Sequence, residues 1–175
     1  TNIVLKMNFG EDGTIYGAQA LGQEGVDKRI DVIATAIKGN LTIYDLQEIE
    51  VAYAPPYNAA KDPVNILGYV AENMLNDDVR LVNYDELDEY LAAENGILID
   101  VRTKTEFENG AIPNAIHMDV DTLRENLDFF DKNKKYVIYC QIGLRGYLAQ
   151  RILRNNDIDS VNLNGGYGLW KPVNS

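Results

Sequence analysis

A single cysteine stands where an apolar run gives way to a helical pattern. The stretch YVIYCQIGLRGYLAQRILRNN runs from Tyr136 to Asn156, and Cys140 falls at its strand-to-helix junction with Gly143 and Arg145 just behind. A turn from a buried strand into a helix presents several backbone N–H groups toward one point, at the positive end of the helix dipole. A thiol held there is favoured as the thiolate, the form that acts as a nucleophile. Gly143 lets the loop bend back without a Cβ clash, and Arg145 adds a charge that does not titrate away. The expected product is a cradle for an anion attached to, or approaching, sulfur. Four residues separate Cys140 from Arg145, and so tight a loop encircles one added sulfur more readily than a phosphate with its oxygens. The competing reading is plain: free cysteine is among the most buried residue types, and Cys140 could be a small hydrophobe after a strand.

The rest of the composition narrows the chemistry. One cysteine cannot close an intramolecular disulfide, and with His117 the only histidine among 175 residues, a His/Cys metal cluster is not expected. The net charge is −11, from 16 basic and 27 acidic residues, with no basic stripe. Nucleic acid and anionic membrane are therefore not expected partners. No apolar run approaches the roughly 20 residues that span a bilayer, and no leader pattern is present, so a cytoplasmic location is expected.

Positioning Cys140 requires an α/β scaffold, and the pattern supplies one. Residues 1–22 read as a β-hairpin around the turn chemistry of Gly10 to Gly13. A helix follows from Val26, with Ile30, Ile33 and Ile37 on one face and Gly39-Asn40 as its stop. Thr42 suits the cap of a short helix through Leu46 and Ile49. A strand is expected at IEVAYA, ended by Pro55 and Pro56. Asp62 and Pro63 then open another helix. Asn76 to Asn83, polar and charged, reads as a linker. Beyond it helices are expected at 84–93, 103–109, 121–131 and 144–155, alternating with strands at 97–101, 115–118, 135–139 and 160–163. Short apolar strands between helices imply a parallel sheet. The first segment, with about three strands, is thin for an independent sheet.

With these elements in place, residues 78–171 resemble a rhodanese (sulfurtransferase) domain. The likeness is carried by LIDVRTKTEFENGAIPNAIHM (Leu98 to Met118), CQIGLR (Cys140 to Arg145) and LNGGYGLW (Leu163 to Trp170). It implies that Cys140 accepts sulfane sulfur as a persulfide, stabilised by the loop N–H groups of Gln141, Ile142, Gly143, Leu144 and Arg145. Two positions depart from the pattern: Ala111 replaces a frequent histidine, and Gly146 a frequent serine. The first segment, through GAQALGQEGVDKRIDVIATAI (Gly17 to Ile37) and YAPPYNAAKDPVNILGYVAEN (Tyr53 to Asn73), is similar to the dimerisation domain of flavin-dependent pyridine nucleotide–disulfide oxidoreductases. The branch it resembles is that of coenzyme A-disulfide reductases and NADH oxidases, some of which carry a C-terminal rhodanese domain.

The fold class expected is therefore α/β overall. Residues 1–75 would form a partial α+β dimerisation domain of antiparallel strands and helices, and residues 76–175 a rhodanese-like domain with a parallel sheet. The resemblance implies a homodimer through residues 1–75 and persulfide, thiosulfate or coenzyme A-thiol species as partners. It implies FAD, NAD(P)H and coenzyme A for an intact parent. No GxGxxG strand–turn–helix and no flavin-side redox cysteine occur, so none of these cofactors is expected in this chain. By the same resemblance Tyr53 and Tyr57 would reach a cross-dimer thiol site in the parent; the alternative is two rings packed at a rigid Pro55-Pro56 turn.

Asp100 and Arg102 lie at a strand end, where α/β folds place ligand sites. They are expected in ion pairs, Arg102 with Glu106 for example, that brace the Cys140 loop. His117 reads as a satisfied strand-end histidine, and Trp170 as core or a lid beside the loop, with core preferred. Two other functions compete with sulfur transfer. A Cys-dependent phosphatase or arsenate reductase uses a related loop, generally one residue longer. A non-catalytic assembly module would hold an inert, buried thiol.

Overall fold

The computed structural model describes residues 3–56 and 59–174, and in it the chain forms two units, one ending at Asp77 and one starting at Asp78. In the first, β1 (Ile3–Phe9) and β2 (Ile15–Gly22) pair antiparallel. The turn between them is closed by Asp12, whose carboxylate accepts from the Thr14 N–H at 3.0 Å and hydroxyl at 2.8 Å. α1 (Val26–Lys38) stops at Gly39. α2 (Ile43–Glu48) opens on a reciprocal box between Thr42 and Asp45. α3 (Pro63–Leu75) is capped by Asp62, which accepts from the Val64 N–H at 3.0 Å and pairs with Arg29 at 2.7 Å. Ile15, Ile33, Ile43, Leu46, Val64 and Ala71 close one core around these elements.

The strand expected at IEVAYA does not form. Asn65, buried on α3, donates its side-chain amide to the carbonyls of Leu46 and Ile49 at 2.8 and 2.9 Å. That occupies the first carbonyl a ladder would need, and among the described residues the sheet of this unit has two strands, not three.

The second unit is a five-stranded parallel sheet of order β3-β7-β6-β4-β5. The strands are β3 (Leu81–Val82), β4 (Ile97–Asp100), β5 (Ile116–His117), β6 (Tyr136–Tyr139) and β7 (Ser160–Leu163). Between them lie α4 (Leu87–Ala93), α5 (Lys104–Glu108), a kinked 3₁₀ segment (Val120–Phe129), α6 (Leu144–Arg154) and, after β7, α7 (Gly166–Val173). Alternate residues of β6 feed two cores. Tyr136, Ile138 and Cys140 share one with Leu123, Ala149 and Leu153, while Val137 and Tyr139 share the other with Val82, Leu163 and Tyr167. Burial on both faces is why YVIY shows no alternation.

Two expectations change here. The segment read as a linker contains β3, whose edge holds β7: the Asn162 and Asn164 N–H groups donate to the carbonyls of Arg80 and Val82. A two-residue strand leaves no periodicity to read. α7 was not expected, because glycines and Pro172 argue against a helix. It forms because its first turn has acceptors waiting: Tyr167 and Gly168 N–H donate to the carbonyls of Cys140 and Gln141, both at 2.8 Å. Among the described residues, no helix is long and apolar enough to cross a membrane.

Candidate functional site

Cys140 follows the last residue of β6 at the carboxyl edge of the sheet, and the chain turns through Gln141, Ile142 and Gly143 into α6. The turn depends on Gly143, whose φ of 156° is rarely open to side-chain-bearing residues. It brings the Gly143 N–H to 3.1 Å from Cys140 Sγ, a donor aimed at sulfur. As at any helix start, the first N–H groups of α6 have no acceptor within their own helix. Gly166 closes the loop from behind. Its φ is +58°, and a Cβ there would lie 2.4 Å from the Cys140 carbonyl oxygen. Cys140 as a residue is 2% exposed.

Under the loop sits a buried ion pair. Arg102, 2% exposed, donates to Asp100 at 2.7 and 3.0 Å and to the Gly110 carbonyl at 2.7 Å. A further guanidinium nitrogen reaches Gln141 Oε1 at 3.3 Å. Its plane lies near the rings of Tyr139 and Tyr167, with centroids at 5.6 and 4.1 Å. Burial lowers the Arg102 pKa, but the hydrogen bonds to Asp100, its charge and Tyr139 together outweigh it, and the net shift is upward. Burial, reinforced by Asp100, pushes the Tyr139 hydroxyl well above the tyrosine range.

Arg145 interacts with the Cys140 thiol, but its charge is shared with Glu106, whose hydrogen bonds are the main cause of its raised pKa. Both its terminal nitrogens bind Glu106, at 2.6 and 2.7 Å. Glu106 also accepts from the Thr103 N–H and hydroxyl, at 3.0 and 2.9 Å, in the capping box of α5. The Arg145 hydrogen bonds hold the Glu106 carboxyl at about 2, against an ordinary 4.5. The pairing expected from the sequence, Arg102 with Glu106, is thus replaced by Arg102–Asp100 and Arg145–Glu106. The reason is that α5 begins at Lys104, which leaves Arg102 off the helix and buried, while Glu106 faces the loop.

Ile142 and Leu144, each 70% exposed, form an apolar rim on the loop. Beside Arg145 an open groove runs past Thr103, Val120, Arg124 and Leu148. His117 donates its Nε2–H to the Arg102 carbonyl at 2.8 Å, the satisfied strand-end role expected of it. Trp170 is half-buried and stacks on Tyr167 with centroids 6.1 Å apart, as core rather than lid. In the first unit Tyr53 is exposed, and Tyr57 lies outside the described residues.

Sequence reasoning gave Glu106 the wrong partner and missed Gly166 and Asn162. The Thr103-x-x-Glu106 capping box was a readable signal for the first. Gly166 stands in a glycine pair that reads equally as a loop. Asn162, inside a strand, gives no signal.

β1 returns directly as β2, and the turns after β4 and β6 lack the glycine spacing that cradles a dinucleotide. Among the described residues no cluster of three or more His, Cys, Asp or Glu side chains could hold a metal ion.

Residues 83–172 match the rhodanese-like domain family. Among curated proteins, coenzyme A disulfide reductase of Staphylococcus haemolyticus is 48% identical over 75 residues, 42% of this chain and 17% of that protein. Among solved structures, reduced CoADR-RHD of Bacillus anthracis superposes with a TM-score of 0.93 at 45% identity, over 98% of this chain and 31% of that one. A NAD-dependent persulfide reductase from A. fulgidus gives 0.86 at 37% identity, over 96% and 30% of the two chains. The chain therefore spans less than a third of the length of these relatives.

Proposed function

The chain belongs to the rhodanese-like domain family, and on that premise we propose that it is a sulfurtransferase module carrying sulfane sulfur as a persulfide of Cys140. The observation that carries this reading is the Gly143 N–H at 3.1 Å from Cys140 Sγ, in a loop with four residues between cysteine and arginine. The thiolate attacks the outer sulfur of a persulfide or thiosulfate. A new S–S bond forms to Cys140, the donor S–S bond breaks, and its electron pair leaves with the thiolate or sulfite. An acceptor nucleophile then takes the outer sulfur, and the Cys140 thiolate is regenerated. Gly143 and the first N–H groups of α6 stabilise negative charge on sulfur at both stages. Gln141, Ile142, Leu144 and Arg145 shape the loop, and Asp100 with Arg102 braces it from below.

One observation favours a second reading, an inert thiol in an assembly module: Cys140 is nearly fully buried. Exposure to thiosulfate or an organic persulfide, followed by intact-mass measurement, separates the two. A gain of one sulfur atom supports transfer. An unchanged mass, with slow alkylation at neutral pH, supports the inert module. The short loop argues against a phosphatase or arsenate reductase.

The relatives' names extend the proposal to a parent protein, a flavin-dependent reductase of coenzyme A disulfide or persulfide, in which this chain would be the sulfur-handling part. FAD, NAD(P)H and coenzyme A would be bound by that intact parent, and Tyr53 would contribute there to a cross-dimer thiol site. We further propose a cytoplasmic homodimer through residues 1–75. It is supported by a stripe on α3, where Ile66, Val70 and Met74 recur at helical spacing and are exposed.

A further inference from the structure

Gly143 is held by more than its own helix. Its carbonyl accepts twice, from the Tyr147 N–H at 2.8 Å and from the Asn162 side-chain amide at 3.2 Å. Asn162 sits in β7 opposite Ile138 of β6, two residues before the cysteine, and is 4% exposed. The carbonyl and N–H of one trans peptide point in opposite directions. Fixing the Gly143 carbonyl toward β7 and α6 therefore turns the Leu144 N–H away from them, out of the helix start and toward the mouth of the loop.

The rest of the Asn162 amide explains a neighbouring residue. Its Oδ1 is buried without a hydrogen-bond partner among the described residues. A Cβ on Gly146 would lie 2.2 Å from that Oδ1 and 3.0 Å from Cγ. Any side chain at 146 must displace the amide. Glycine there is not demanded by backbone conformation, since 146 lies inside α6. It is demanded by Asn162.

We propose that Asn162 is a positioning residue for sulfur transfer, holding the Gly143–Leu144 peptide so that the Leu144 N–H joins the Gly143 N–H in facing the sulfur, and that Gly146 is its matched partner, leaving the space its amide occupies. This rests on the sulfurtransferase reading. Asn162 touches neither donor nor sulfur; it acts through the peptide it anchors. The orphaned Oδ1 fits this role, because the amide is oriented for its donor end and its acceptor end is left unpaired.

The test compares the parent with Asn162→Leu, which removes the donor at similar volume, and Gly146→Ala, which crowds the amide without touching the strand. Steady-state transfer from thiosulfate to cyanide, thermal unfolding, and hydrogen exchange at the Gly143 and Leu144 amides are measured on each. The expected result is a kcat lowered on the order of tenfold or more in both variants, with the thiosulfate KM changed less than about threefold and faster exchange at both amides. If Asn162→Leu does not fold, Gly146→Ala decides by the same readings. Variants that melt earlier but keep the parent kcat per folded molecule would overturn the positioning role while leaving the sulfurtransferase reading intact. No transfer by the parent itself would overturn that reading and this role together.

Discussion

Arg145 and Glu106, 39 residues apart in sequence, are bound by two parallel hydrogen bonds of 2.6 and 2.7 Å across the mouth of the Cys140 loop. The pair joins the first turn of α5 to the first turn of α6. It fixes the outer wall of the loop and offsets the one side-chain cation nearest the sulfur. An anionic donor therefore meets a loop whose attraction comes mainly from backbone N–H groups.

Glu106→Gln should release Arg145 toward the donor. The expected outcome is a thiosulfate KM lowered about threefold, with stability reduced by about 1 kcal/mol, since the pair is bidentate but both side chains are partly solvated. Steady-state kinetics and urea unfolding check this; an unchanged or higher KM would mean that Arg145 is held away from the donor path regardless of its partner.

The same pair sets an acid limit. Glu106 is depressed in the folded state, to about 2 from 4.5. Its contribution to stability is thus present above about 4.5 and is lost as pH falls through about 2. The stability difference between parent and Glu106→Gln should be constant from neutral pH to about 5, then shrink toward zero near pH 2. Urea unfolding across that range measures it.

Much of this arrangement was legible in the sequence, and the illegible parts share a cause. YVIY, Cys140 and the helical repeat after Gly143 specify a buried strand, a turn and a helix from local pattern alone. Asp62-Pro63 and Thr42 announce their helices by capping chemistry. What failed depends on partners distant in the chain. Glu106 was offered as a partner of Arg102, which lies near it in sequence, but Arg102 precedes α5 and turns inward to Asp100. IEVAYA has strand composition, yet Asn65 takes its first carbonyl. The β3 strand is defined by β7 rather than by its own two residues, and α7 by carbonyls of the Cys140 loop.

Arg102→Ala should be strongly destabilising, by about 3–5 kcal/mol, because it leaves Asp100 buried without a counter-charge. Arg102→Lys should recover only part of this, since an ammonium cannot reproduce the fork that engages Asp100, Gly110 and Gln141 together. Chemical denaturation measures both; a loss under about 1 kcal/mol for Arg102→Ala would show that the pair is not structurally required.

Gly166→Ala combines a φ of +58° with a contact of 2.4 Å to the Cys140 carbonyl. It should cost about 1–3 kcal/mol and slow sulfur transfer, because the relief of the clash pushes the loop forward. Thermal unfolding and transfer rates together test this.

Val70→Glu, in the middle of the exposed α3 stripe, should shift the chain from dimer to monomer in sedimentation without loss of helix content. A parent that sediments only as monomer at micromolar concentration would remove the proposed assembly.

The most direct test is intact-mass spectrometry of the folded chain before and after a sulfane-sulfur donor, for the parent and Cys140→Ser. The parent should gain one sulfur atom and lose it to cyanide with formation of thiocyanate, while Cys140→Ser gains none. A folded parent with unchanged mass, or a Cys140→Ser variant that passes sulfur at the parent rate, would contradict persulfide transfer through Cys140.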